Sequence, residues 1–199
     1  MELREALRRR RMVRSFQPRH VEAAVVVGLC EEALRSPTAG NSAGVRFTVL
    51  AGDAVSTYFD AATDAAWREE NRRAPGLMRA GAVVVATCCP SAYTDRYSES
   101  DKSKSGLENR ENWPVPYWQT DAAMATMSLL LLLEEAGLQA TMWGNFRHDQ
   151  RVLDLIGATD EQLVASVIIG YRDEEGDFRS PSLHRATPTR AERVRLLTL

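Results

Sequence analysis

Five arginines fall within seven positions near the start of the chain: Arg8, Arg9, Arg10, Arg11 and Arg14. A guanidinium presents a planar fork of donors that matches the oxygens of a phosphate or carboxylate. The run leads straight into Val13 and Phe16, apolar residues that would anchor it, so it reads as a fixed oxyanion site rather than a free basic tail. A second stretch, Ser36–Gly44, is a loop of small residues rich in backbone donors. It contains Gly40-Asn41-Ser42-Ala43-Gly44, a formal match to the G-x-S-x-G nucleophile elbow. That elbow needs a strand before it and a helix after it. Here a helix pattern precedes and a strand pattern follows, which disfavours Ser42 as a nucleophile. A third stretch, Trp143-Gly144-Asn145, is a short turn, and the tail offers Arg185 as a second cation for an anion site. Trp113, Tyr117 and Trp118, set beside Pro114 and Pro116, form either a stiff apolar lip over a site or a hydrophobic clasp. No His/Cys spacing suggests a metal, and Cys30, Cys88 and Cys89 read as packing residues.

These groups need a scaffold, and its centre is Asp121–Glu135 (DAAMATMSLLLLLEE). Ala, Leu and Met favour helix, and no Gly, Pro or β-branched run interrupts them. The stretch is too short for a membrane span. It is apolar nearly all the way round, so it must be covered by the rest of the chain or by a second subunit. Around it the spacing predicts helices at Glu2–Arg11, Pro18–Arg35, Ala54–Asn71 and Asp149–Ile156. Strands are predicted at Val45–Leu50, Ala82–Thr87, Leu138–Trp143 and Leu163–Tyr171. Pro90–Trp118 reads as a long polar excursion over the domain, and residues 172–199 as an extended tail. The 199 residues form a single domain, and a net charge of −2 gives no global field for nucleic acid or an anionic membrane. The N-terminus lacks an apolar signal core, so a cytoplasmic protein is expected. Neither a G-x-G-x-x-G opening a helix nor a P-loop is present.

Taken in order, these pieces resemble the FMN-dependent nitroreductase family over nearly the whole chain. Arg10-Arg11-Met12-Val13-Arg14-Ser15-Phe16 is similar to the family's opening R-R-S-V-R-x-F, with Met12 in place of Ser. Ser36-Pro37-Thr38-Ala39-Gly40-Asn41-Ser42 is similar to its P-S-x-x-N-S-Q-P loop, with Ala43-Gly44 in place of Gln-Pro. Trp143-Gly144-Asn145-Phe146 resembles the flavin turn, and Ile169-Gly170-Tyr171 with Ser182-Leu183-His184-Arg185 the closing strand and basic tail. The step from Pro116-Tyr117-Trp118 into the helix is like that of actinobacterial-type members.

The resemblance implies an α+β, three-layer nitroreductase-like fold with a small mixed sheet covered by helices. It implies a homodimer with the apolar helix at the interface and FMN where the subunits meet. Arg10 would bind the phosphate, joined by Arg185 from the tail, Arg11 and Met12 would be further cofactor-binding positions, and Arg14 would sit at the N1/O2 edge of the ring. Pro37, Thr38, Ala39, Asn41 and Ser42 would reach the flavin from the other subunit. Trp143, Gly144 and Asn145 would line the ring, with the Gly144 N–H at N5 and the Asn145 N–H near O4. Trp113, Tyr117 and Trp118 would wall the substrate pocket. The implied activity is hydride transfer from NAD(P)H through the flavin to an electron-poor acceptor such as a nitroaromatic or quinone. The competing readings are a flavin storage or sensor protein with little turnover and a serine hydrolase using Ser42.

Overall fold

The computed structural model describes residues 1–145, 147–178 and 180–198. Its core is a four-stranded sheet made of β1 (Val45–Ala51), β2 (Ala82–Cys88), β3 (Gln139–Trp143) and β4 (Gln162–Gly170), in the order β1-β2-β4-β3. All neighbouring strands are antiparallel. The parallel component expected of a mixed sheet is confined to an isolated bridge between Met12 and Ala140. β2 reads AVVVATC and is buried along its whole length, because helices cover both faces of the sheet. Its side chains alternate. Ala82 and Val84, with Val167 and Ile169 of β4, pack under α2 (Ala23–Ala33) and α7 (Tyr117–Glu135). Val83 and Val85, with Ile168, pack against Val55, Tyr58 and Phe59 of α3 (Asp53–Ala62) and Val152 of α8 (Asp149–Leu155). The molecule is therefore a helix–sheet–helix sandwich, an α+β fold in three layers.

α1 (Leu3–Arg9) lies against the C-terminal end of α7, where Arg9 Nε is 3.4 Å from Glu134 Oε1. α7 buries Ala122, Ala125, Leu129, Leu130 and Leu133, each leucine contributing roughly 1.5–3 kcal/mol. It is not covered all round: Ala123, Met124 and Met127 form an exposed stripe.

Three predicted segments differ, the first being the helix expected at Pro18–Arg35, which spans only Ala23–Ala33. The single helix expected over 54–71 is broken at Thr63, whose backbone is extended, and Asp64 starts α4 (Ala65–Glu70) by accepting the Trp67 N–H at 2.8 Å. A short α5 (Ala74–Leu77) follows. The excursion is not all loop: α6 (Pro90–Ser98) starts with Pro90 in its first turn, where a missing N–H costs nothing. No helix among the described residues is long and apolar enough to cross a membrane.

Candidate functional site

α1 stops at Arg9 because Arg10 turns extended (φ −49°, ψ 126°), and the chain runs on beside β3. The Val13 N–H donates to the Ala140 carbonyl at 3.0 Å, and Gln17 N–H to Tyr171 at 2.8 Å. Phe16 is fully buried and lies where a Cβ on Gly170 would sit, so Gly170 is needed for this close approach. With Val13 and Phe16 anchored, Arg10, Arg11, Met12 and Arg14 line a cleft of about 480 Å³.

The far wall of the cleft comes from the other end of the chain, Arg172 and Asp177. Asp177 ties the two walls together. Its Oδ1 accepts the Arg14 N–H at 2.9 Å and its Oδ2 accepts Arg172 Nε at 3.0 Å. The Arg14 side chain donates to the Met12 carbonyl at 3.2 Å. Burial, then repulsion from Arg73, holds the Arg14 pKa below its ordinary value, and Asp177 opposes the shift. Arg10 matters most. Its Nε and Nη1 are buried without a hydrogen-bond partner among the described residues. Buried guanidinium nitrogens demand an acceptor. An oxyanion held between Arg10, Arg11 and Arg172 would satisfy that demand.

A second cavity, about 230 Å³, opens at the end of β3 and is lined by Trp143, Gly144, Asn145, Trp67, Asp64 and His148, among others. The Asn145 side chain is not available to it. Asn145 Oδ1 accepts Ser166 Oγ at 2.8 Å, and Nδ2 donates to Tyr58 OH at 3.2 Å. Burial pushes the Tyr58 hydroxyl up to about 12, so it stays neutral in this lock. The side chain fixes the turn and leaves the main chain of Gly144 and Asn145 to the cavity. Trp67 and Trp143 lean together at 5.3 Å.

The loop Ser36–Gly44 lies elsewhere. Its Ala39 N–H donates to Asp121 Oδ2 at 2.8 Å, the same oxygen that accepts Tyr93 OH at 2.9 Å. Arg96 Nε holds the Gly40 carbonyl at 2.9 Å. Ala39 is held at Asp121 near the start of α7, Ser36 at Ser128 midway (2.8 Å), and Arg9 meets Glu134 near its end, roughly 20 Å along the helix from Asp121. Within one chain, Pro37, Thr38, Ala39, Asn41 and Ser42 do not join the cleft. Ser42 Oγ donates to Ala39 O at 2.5 Å, and no imidazole is bonded to it among the described residues, so nothing here builds a hydrolase triad.

Trp113 and Trp118 are buried rather than lining either cavity. Their indole N–H groups bond Leu107 O at 2.7 Å and Gln162 Oε1 at 3.1 Å, and their rings pack with Tyr93 against α7. They are the clasp and not the lip; only Tyr117 is exposed. Arg185 is exposed, beyond a 3-10 turn at Pro181–His184, and does not line the cleft, whereas Ser182 and Leu183 do. The cleft's second wall is carried instead by Arg172. The residue reading missed it because its one signal is its place just after the last strand, where it bridges Phe16. Phe146 and Arg179 lie outside the described residues. Among the described residues no group of three or more His, Cys, Asp or Glu could hold a metal ion.

The model of the nitroreductase family matches residues 7–171 of this chain. Solved structures share the fold. Nitroreductase CinD from Lactococcus lactis in complex with nicotinic acid superposes with a TM-score of 0.76 at 17% identity, covering 99% of this chain and 100% of that one. The FMN and NADPH-dependent nitroreductase NfnB from Sphigopyxis sp. strain HMH gives 0.71 at 20% identity, with all of both chains covered. A nitroreductase family protein from Clostridium difficile 630 gives 0.69 at 17%, again over both full chains. No curated protein matches.

Proposed function

This chain belongs to the nitroreductase family, and from that premise we propose that it is an FMN-dependent oxidoreductase working as a homodimer. The observation that carries the reading is Arg10, whose buried nitrogens need an anion in a cleft lined, among the described residues, by four arginines and one aspartate. The phosphate of FMN supplies that anion. Bound FMN would provide a two-electron carrier, taking hydride from NAD(P)H and giving it to an electron-poor acceptor such as a nitroaromatic or quinone. NfnB, which shares the fold, is described as FMN and NADPH-dependent.

In this reading Arg10, Arg11 and Arg172 hold the phosphate, with Met12 alongside. Arg14 stands at the pyrimidine edge, where its positive charge favours the reduced ring. The main chain of Gly144 offers an N–H to N5 and that of Asn145 an N–H near O4. Both donors are fixed by the buried Asn145 side chain and do not titrate, so they orient the ring at any pH. Trp143 packs beside them. Pro37, Thr38, Ala39, Asn41 and Ser42 reach the flavin of a second copy, since within one chain they stand at the wrong end of α7. A cytoplasmic location is part of the proposal, since NAD(P)H is abundant there.

The test is an absorption spectrum. The purified protein should carry, or take up, a yellow chromophore that NADPH or NADH bleaches without air. Protein that stays colourless and unreactive after FMN is added overturns the proposal.

A further inference from the structure

The second cavity contains a group that hydride transfer alone does not use. We propose that His148, positioned by Asp64, donates the proton that completes reduction of a flat, electron-poor acceptor seated against the Trp67–Trp143 pair. The proposal rests on the oxidoreductase reading above.

Three features carry it. The cavity of about 230 Å³ is lined on one side by two indoles and on another by Gly144, the residue assigned to N5. An indole surface beside Gly144 suits a flat ring packed against it. Next, His148 is fixed. Its Nε2 is 3.2 Å from Asp64 Oδ2, while Asp64 Oδ1 is itself held by the Trp67 N–H at 2.8 Å. Those two bonds, the Trp67 N–H first, hold the Asp64 carboxyl below its usual range, so it remains a charged partner for an imidazolium. With Nε2 engaged, Nδ1 is bonded to nothing among the described residues and is left for a ligand. Finally, elimination leaves no rival. Of the described residues lining the cavity only Asp64, Arg147 and His148 carry ionisable side chains, and histidine is the usual proton donor among these types.

The balance requires such a donor. A quinone that accepts a hydride gains two electrons and one hydrogen, and its second oxygen is left as a phenolate. The His148 N–H bond breaks as the phenol O–H forms, and the neutral imidazole regains a proton from water. Quinone plus hydride plus proton gives hydroquinone. Asp64 is the charged group bonded to His148, Arg147 and Asp149 are its neighbours in the chain, and Arg68 and Arg151 are both engaged with Asp60 of α3. Arg68 pairs with Asp60 at 2.8 Å, and Arg151 donates to the Asp60 carbonyl. The variants below decide whether a pH response belongs to His148.

The experiment uses FMN-loaded protein reduced by NADPH and then mixed rapidly with 1,4-benzoquinone between pH 5.5 and 8.5. Wild type should be reoxidised fastest at low pH, with a falling limb through neutrality and a solvent isotope effect. His148→Gln should be about 100-fold slower at pH 6 and flat with pH. Asp64→Asn should fall between them. Separately, benzamide should quench indole emission of the flavin-free protein. That quenching should survive in His148→Gln and vanish in Trp67→Ala. A falling limb that persists in His148→Gln, or benzamide quenching unchanged in Trp67→Ala, overturns the inference. Wild type that NADPH never bleaches instead removes the underlying reading.

Discussion

At the scale of single residues, burial without a partner is the most informative fact about Arg10. A guanidinium half out of water with two nitrogens unpaired destabilises the empty protein, and an anion reverses that. Two opposite effects of Arg10→Ala follow. FMN affinity should fall about 10- to 100-fold, from the loss of charge-assisted bonds worth roughly 1.5–3 kcal/mol. The melting temperature of the flavin-free protein should hold or rise. Flavin-fluorescence titration and thermal melts read the two separately, and a variant that loses both would mean Arg10 is structural. Arg14→Ala, which removes positive charge near the ring, should slow reduction by NADPH in stopped flow while leaving bound flavin detectable. Arg10, Arg11, Met12 and Arg14 were legible in the sequence because residue type and anchoring apolar neighbours lie within one short run. Arg172 and Asp177 were not, since only the pairing of β3 with β4 brings them across the cleft.

At the scale of elements, the excursion buttresses the glycine loop. Tyr97 and Tyr93 of α6 press on Gly40 and Gly44, where a Cβ would come within 2.7 and 2.5 Å of their rings. The buried Asp121 gathers the Tyr93 hydroxyl and the Ala39 N–H. Tyr93→Phe should lower stability by roughly 1.5–3 kcal/mol, because it strips a donor from a buried carboxylate. Ala43 holds φ 51°, a left-handed conformation that disfavours a side chain. Ala43→Gly should therefore stabilise by up to about 1 kcal/mol in chemical denaturation. Sequence reading found the strands and α7, whose periods are strong. It missed α6, which is polar and starts at a proline, and the break before α4, which one aspartate cap decides.

The turn beyond β4 supplies a pH dependence. Asp173 accepts the Gly176 N–H, Ser15 Oγ and Arg79 Nη2, and these bonds, the Gly176 N–H first, depress its pKa. A carboxyl lower in the folded than the unfolded state stabilises above the unfolded value, and that contribution disappears as pH falls through the folded one. Wild type should thus lose melting temperature below about pH 4 more steeply than Asp173→Asn, which lacks the titrating group.

At the scale of the molecule, the exposed stripe on α7 and the separation of loop from cleft point the same way. Met124 and Met127 are 44% and 37% exposed on a helix whose other faces are packed, and Leu3 and Leu7 of α1 are exposed as well. Large apolar side chains gathered on neighbouring helices call for a partner surface. A second copy related by a two-fold axis would set one chain's Pro37–Ser42 loop against the other's arginine cleft, since these features sit at opposite ends of α7. Dimerisation and flavin retention should then fail together. Met127→Arg places a charge in the middle of the stripe without touching either the loop or the cleft. Sedimentation should show wild type as a dimer and the variant shifted toward monomer, with FMN lost from the monomer fraction and regained as concentration drives reassociation. Monomer that keeps FMN at wild-type affinity would show that one chain builds the whole site, and the loop assignments would fall with it.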